Sequence, residues 1–411
     1  MKIGILKTSL KQIVSMAVIV ASLGYFVDIY DLVLFGVVRM TSLKSLGFSG
    51  PSLLSKGVFL LNMQMTGMLI GGLFWGILGD KKGRVAVLFG SIFLYSTANI
   101  ANAFVHTIPF YAFWRLVAGI GLAGELGAGI TLVAESLSKE TRGYATTIVA
   151  TVGVSGAVVA GLVAEFFSWR MNFFLGGLLG FLLLALRLSV KESGLFENAQ
   201  SNQTIKRGEF LRFFTKKDLF FRYVRCILIG LPLWFVIGIL VMFSPELSRV
   251  AHVTGPIEAG KAIMWGYAGL VVGDCMSGVL SQITRSRKKI LLLFLALLSL
   301  GVILYVFARG CSPFAYYCLI VYLGIASGYW ALFATVAAEQ FGTNMRATAS
   351  ITIPNFVRGG VVPMTLLFQW LAQRTSLVHA ALYVGIGVIC LAGISMLLME
   401  DTYGKDLQFY D

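Results

Sequence analysis

The sequence predicts an all-α membrane protein, twelve transmembrane helices in two pseudosymmetric six-helix bundles. Three observations carry that expectation. Of 411 residues, 57% are hydrophobic and 13% charged, too few charges to cover the water-facing surface of a soluble fold. Apolar runs of membrane-spanning length recur along the chain, and parts of the second half repeat parts of the first. A soluble enzyme is excluded.

A bilayer core about 30 Å thick needs about 20 mostly apolar residues in helical form, because backbone groups in lipid have to be paired within their own segment. Twelve segments qualify: residues 12–38, 57–79, 85–105, 109–136, 144–167, 170–190, 223–247, 258–281, 290–308, 313–338, 348–371 and 377–399. The basic residues 1–11 lead into a run too long for a signal sequence and without a cleavage pattern, so the first span is expected to be retained. Runs such as 290–300 lack the alternation of a β-barrel strand.

Basic residues orient the spans, since Lys and Arg concentrate in cytoplasmic loops. With both termini inside, 23 of the 33 fall in cytoplasmic segments and 8 in outer ones. Nine lie between Arg187 and Arg225, in a polar stretch that divides a first bundle, 1–190, from a second, 222–411, through a cytoplasmic linker, 191–221. The net charge of +14 therefore reads as loops facing anionic lipid rather than as a nucleic-acid surface. Cys226, Cys275, Cys311, Cys318 and Cys390 form no metal or disulfide spacing and read as small core residues.

A shift of 204 residues lays 110–159 over the stretch starting at 314. Glu135 then meets Glu339, Arg142 meets Arg346, Gly124 meets Gly328 and Gly156 meets Gly360; a shift of 202 places Gly76 on Gly278. Two similar bundles with a site between them can rock, opening that site to one side and then the other. The pattern points to transport.

The turn after span two reads Gly76-Ile-Leu-Gly-Asp80-Lys-Lys-Gly83-Arg84, which resembles the signature loop of the major facilitator superfamily, with Val85 where a basic residue is usual. Glycines permit the tight turn, Asp80 can cap a helix N-terminus, and Arg84 can reach a carboxylate such as Glu135. The resemblance implies a latch at the inner helix ends, built from Gly76, Asp80, Gly83, Arg84, Glu135 and Arg142, with Glu339 and Arg346 as its counterpart in the other half. Within the superfamily, Gly24-Tyr-Phe-Val-Asp28-Ile-Tyr30-Asp31 and Arg115-Leu-Val-Ala-Gly119-Ile-Gly121-Leu-Ala-Gly124-Glu125 resemble the metabolite:proton symporters of the organic-acid and phosphate type. Glu125-Leu126-Gly127 departs from the phosphate branch.

An ionisable side chain near mid-membrane costs about 2.5–3.5 kcal/mol on insertion scales, so each invites a functional reading. Asp28 and Asp31 share a face of span one, and Glu125 should lie at similar depth on span four; all three are candidates for proton coupling, since neighbouring buried carboxylates compete for a proton. Asp31 is also placed to pair with Arg115, which is otherwise a second candidate substrate contact. Arg358 on span eleven has no obvious acidic neighbour and is the leading substrate contact, guanidinium suiting carboxylate or phosphate; pairing with Asp274 or a first-half carboxylate is its alternative. Asp274, near the inner end of span eight, is a candidate gate partner. Tyr25, Tyr30, Trp234, Tyr329 and Trp330 could wall a cavity, although packing alone explains rings in so apolar a chain. Glycines at 119, 121, 124, 127 and 129 should let a neighbouring helix approach span four closely. The three histidines fall at loops or span ends.

The expected function is proton-coupled uptake of a small carboxylate-type organic anion by alternating access. An exporter of drugs or metabolites is the rival, with a zwitterion or a polycarboxylate siderophore as other imported solutes. Neither HExxH nor GxSxG occurs to suggest an enzyme. No cofactor or metal is expected, and the partners expected are solute, protons and lipid. The chain should act as a monomer in a bacterial inner membrane, both termini cytoplasmic.

Overall fold

The computed structural model describes residues 16–125, 127, 129, 139–187, 210–342 and 345–405. Among the described residues the regular structure is all helical. Span one is Met16–Ser45, span two Pro51–Lys82, span three Arg84–Asn102, span four Ile108–Leu122, span five Lys139–Val154 with Gly156–Phe166, and span six Trp169–Arg187. Span seven, Lys217–Phe235, runs through a π-helical turn, Val236–Val241, into Ser244–Val250. Span eight is Ala259–Ile283, span nine Arg287–Phe307, span ten Pro313–Ser327 with Trp330–Glu339, span eleven Arg346–Gly359 with Val361–Ala372, and span twelve Leu377–Leu397. Eleven of these are long and apolar enough to cross a membrane, and Ile108–Leu122 is a shorter apolar helix.

Local chemistry explains several starts. Spans two, four and ten open with proline in the first turn, where its missing N–H is harmless. Spans nine, ten and twelve start on Ser286, Ser312 and Ser376, whose hydroxyls accept the N–H groups of Lys289, Ala315 and His379. Span one ends seven residues later than the hydropathy pattern predicts, because Arg39 is fully buried inside the protein rather than solvated at a loop.

Helices cross closely where both lack side chains. A Cβ on Gly119 would strike the Gln64 carbonyl of span two, and one on Gly324 the Gly266 carbonyl of span eight. The same crossing is thus built into both halves, spans two and four in one, eight and ten in the other. The expected close approach to span four extends to Gly121 against Tyr95, Gly124 against Ser91, and Gly127 against Ile351, whereas a Cβ on Gly129 would meet nothing. Between the halves, spans two and eleven pack together, as do spans one and five against span eight. The tail of the expected linker, Phe210–Phe214, is a 3-10 turn whose Phe213 lies against Tyr223 and Phe341 of the second half. All five cysteines are free; Cys226 is core, but Cys318 and Cys390 lie exposed on the outer surface, where an apolar thiol faces lipid without cost.

Candidate functional site

Six side chains gather where the halves face each other. Asp28 on span one and Arg358 on span eleven are both buried, and each lies within the electrostatic reach of the other. They form no ion pair: both Asp28 oxygens, and Nε and Nη2 of Arg358, lack a hydrogen-bond partner among the described residues. Arg358 instead sits beside two rings, its guanidinium carbon 5.7 Å from the centre of Trp234 and 5.6 Å from that of Trp330. Those rings stand edge to face, 6.3 Å apart. Trp330 Nε1 donates to the Tyr25 hydroxyl at 3.2 Å, tying the second half to span one. Tyr267 of span eight also lies within electrostatic reach of Arg358 and Asp28.

The chain's sharpest departure from expectation is Arg187. Counted with the linker charges by sequence, it is the last residue of span six, buried, and in a salt bridge with Glu125. Its Nη1 donates to Glu125 Oε2 at 3.2 Å, while Nη2 bonds Oε1. Gly24 makes the room, since a Cβ there would run into both the guanidinium and the carboxylate. Glu125, expected as a proton carrier, therefore has a counter-ion within its own half, whereas Asp28 has none in contact among the described residues.

Asp31 and Arg115 lie near each other inside the first half but are not salt-bridged. Arg115 donates through Nη2 to Gln64 Oε1, and Gln64 Nε2 donates to the Leu32 carbonyl at 3.1 Å. The guanidinium carbon is 5.3 Å from the Phe35 ring centre and 5.6 Å from that of Phe173. The amide of Gln64 thus takes the place the Asp31 carboxylate was expected to fill. Tyr30 faces span six beside Asp31, with its hydroxyl unpartnered among the described residues.

Asp274 does not pair with Arg358. Its Oδ1 accepts the Ala331 N–H at 3.1 Å, so the carboxylate caps the helix that restarts after the break in span ten at Gly328 and Tyr329. Tyr329, expected in the wall, turns its hydroxyl to the Ile229 carbonyl at 3.1 Å. Asn355, beside the kinking Pro354 of span eleven, donates to the Ala123 carbonyl of the first half at 2.8 Å.

Two ion pairs lie at opposite ends of the bundle. At the end where span one finishes, Arg39 forms a two-pronged pair with Glu246, at 2.7 and 2.9 Å, and its Nη2 donates to the Met242 carbonyl at 3.2 Å. This pair clamps the halves together. At the other end Arg287 grips Glu339 through Nε at 2.7 Å and Nη2 at 2.8 Å, and Thr402 donates to the same carboxylate at 2.7 Å. Glu339 was expected to act with Arg346, which opens span eleven; it also has an ion-pair partner in Arg287, which opens span nine. In the first half, Gly83 turns the chain at φ 100°, a left-handed conformation that suits glycine, and a Cβ on Gly76 would press on Thr352 of span eleven. Glu135 and the side chains of Asp80, Arg84 and Arg142 lie outside the described residues.

Sequence reasoning missed Arg39, Gln64, Arg187, Glu246, Tyr267 and Arg287. A signal existed for two of them. Arg39 continues the helical face of Asp28, Asp31 and Phe35, and Tyr267 lies two turns before Asp274 on the same face. No cluster of His, Cys, Asp and Glu able to hold a metal occurs among the described residues.

Twelve apolar helices in two alike halves, with buried charges gathered between them, define a multi-pass membrane transporter. The sequence profile of the Major Facilitator Superfamily matches residues 14–360, and the chain belongs to that family. It is similar to a niacin transporter of Acinetobacter baylyi, at 23% identity covering 95% of this chain and 94% of that one. It is also similar to a putative metabolite transport protein of Haemophilus influenzae, at 27% identity with 95% and 97% covered. The crystal structure of a D-xylose-proton symporter has the same fold, at a TM-score of 0.70 and 18% identity, covering 95% of this chain and 99% of that one.

Proposed function

We propose that the protein imports a small organic carboxylate together with protons, by alternating access of the site between its halves. The observation that carries this reading is Arg358, a buried cation whose Nε and Nη2 have no partner and which has no carboxylate in contact among the described residues, beside two tryptophans. A buried charge without a partner is costly, and a planar guanidinium binds a carboxylate with two parallel hydrogen bonds. The rings of Trp234 and Trp330 and the Tyr25 hydroxyl suit a flat, conjugated solute. Likeness to a niacin transporter supports the same class, niacin being a pyridine carboxylate.

Asp28 is the proton carrier in this reading. It shares the cavity with Arg358, so a proton on Asp28 leaves the cation free for the anion, and loss of that proton lets the carboxylate compete for it. The Arg39–Glu246 clamp holds one end shut while the other opens, and it parts when the halves rock. Both termini lie in the cytoplasm, of a bacterial inner membrane, and the monomer suffices.

Proteoliposomes with an imposed pH gradient test this reading against nicotinate, nicotinamide, inorganic phosphate, amino acids, betaine and a carboxylate chelator. Counterflow of nicotinate, with the neutral amide at least about tenfold weaker, is the expected outcome. Exchange of phosphate or betaine without any carboxylate would overturn it.

A further inference from the structure

Span three carries a buried polar face for which the transport site has no use. Tyr95, Ser96, Asn99 and Asn102 follow one another at helical spacing and are fully buried. The Tyr95 hydroxyl, the Ser96 hydroxyl and both amide atoms of Asn99 and of Asn102 have no hydrogen-bond partner among the described residues. Opposite them, span six runs antiparallel. Asn172, near its start, donates to the carbonyls of Phe167 at 3.0 Å and Ser168 at 2.9 Å, which leaves its own Oδ1 unpartnered. One and two turns further on come Gly176 and Gly180, where a Cβ would collide with Asp31 Oδ1 and Ser96 Oγ respectively. The glycines therefore let span six lie directly against this polar face, and the unpartnered side-chain atoms mark a narrow polar seam along the contact.

The seam has a direction. Asn102 ends span three beside the loop in which Arg170 donates to the Ala103 carbonyl at 2.7 Å, at the end of the bundle where span one finishes. Seven residues of helix, about 10 Å, separate Asn102 from Tyr95. Tyr95 lies within electrostatic reach of Asp31, Asp28 and Glu125, and the Asn99 side chain stands beside the Asp31 carboxylate. The charged groups facing Asp31 are Asp28 on its own span and Arg115 on span four.

Buried amides and hydroxyls left unpaired cost free energy in hydrocarbon, and proteins relieve that cost with bound water, each molecule making about three hydrogen bonds to such groups. Chains of polar groups at this spacing suit a single file. We propose that the seam between spans three and six holds a file of water molecules that delivers protons to Asp31, and through it to Asp28, by a route separate from the solute's path between the halves. Each water accepts one proton and passes another on, so no bond of an asparagine or serine breaks. The transfer ends with a hydronium donating to the Asp31 carboxylate, leaving water and a neutral carboxyl. The inference rests on the proton-coupled reading above, and it makes the first half a proton conductor, whereas the face between the halves handles the solute.

Radiolytic hydroxyl-radical labelling of the full-length protein in lipid nanodiscs reads bound water beside buried side chains. Tyr95 should label at least about tenfold faster than Tyr329, which is as deeply buried but bonded to a carbonyl. Equal, slow labelling of the two tyrosines overturns the water file, with no variant needed. A second arm measures proton entry with a trapped dye as nicotinate moves into proteoliposomes. Asn99→Leu with Asn102→Leu, which removes unpaired polar groups and fills the seam, should slow proton entry and net uptake about tenfold and leave nicotinate counterflow unchanged. Proton entry at the wild-type rate in that variant overturns the route alone. If the wild type labels Tyr95 yet moves no proton with nicotinate, proton coupling itself fails and the inference falls with it.

Discussion

Two buried arginines, Arg187 and Arg358, show how the halves divide their labour. Arg187 is met by both oxygens of Glu125 within its own bundle, whereas Arg358 lies over two aromatic rings and faces Asp28 across the interface without touching it. An internally matched charge holds a bundle together. A charge matched only across a moving interface is available to a solute. Each half repeats the same scaffold crossing, but among the described residues the first half buries three acids, Asp28, Asp31 and Glu125, against Asp274 in the second, and the second brings Arg358 with its two tryptophans to the interface.

The comparison can be broken most forcefully at Glu125. Glu125→Gln strands Arg187 in a buried site and should lower stability by about 3–5 kcal/mol, read by thermal unfolding in detergent. Adding Arg187→Met should restore most of the loss. A small effect of the single change would mean that this pair is not the internal fastening described.

How far the sequence reveals this arrangement depends on which signal each residue leaves. Hydropathy finds spans because lipid forbids polar runs, and most described span limits agree with the helices to within about five residues, the exceptions being the end of span one and the starts of spans two and seven, six or seven residues off. The same measure hides Arg39 and Arg187, since a charge at the edge of an apolar window looks like a loop charge whether or not the helix carries it inward. Composition cannot choose between Asp31 and Gln64 as the partner of Arg115, because that choice depends on rotation about the helix axis. Arg358 was legible as a buried charge, standing amid an apolar run with no acid near it in sequence, and Glu339 was legible as the counterpart of Glu135, while its ion-pair partner Arg287 was not.

Arg358→Lys should weaken nicotinate binding about tenfold, or about 1.4 kcal/mol, because an ammonium cannot make the two-pronged contact. Arg115→Lys should change it by less than about threefold, since that side chain is anchored to Gln64. Equal losses at the two positions, measured by half-saturation in counterflow, would erase the distinction between anchored and available arginines.

The clamp between the halves offers a milder probe. Arg39→Gln removes the two-pronged contact to Glu246 and should alter turnover about two- to fivefold with little change in affinity. A change in affinity without a change in turnover would place Arg39 in recognition rather than in gating.

The smallest expected effect lies at the end of span twelve. Burial pushes the Asp401 carboxyl up, but hydrogen bonds from the Ser286 hydroxyl and the N–H groups of Tyr403, Arg287 and Lys288 outweigh it and hold the group below its usual value. Its contribution to stability is therefore complete above the unfolded-state value and is lost as pH falls through the folded-state value. Asp401→Asn should flatten that acid limb of the unfolding curve and leave transport intact.

The central claim, that Asp28 carries the proton while Arg358 holds the anion, is tested most directly by Asp28→Asn in proteoliposomes. Accumulation of nicotinate driven by a pH gradient should vanish while nicotinate exchange at equal pH persists. Accumulation at the wild-type level would contradict the account.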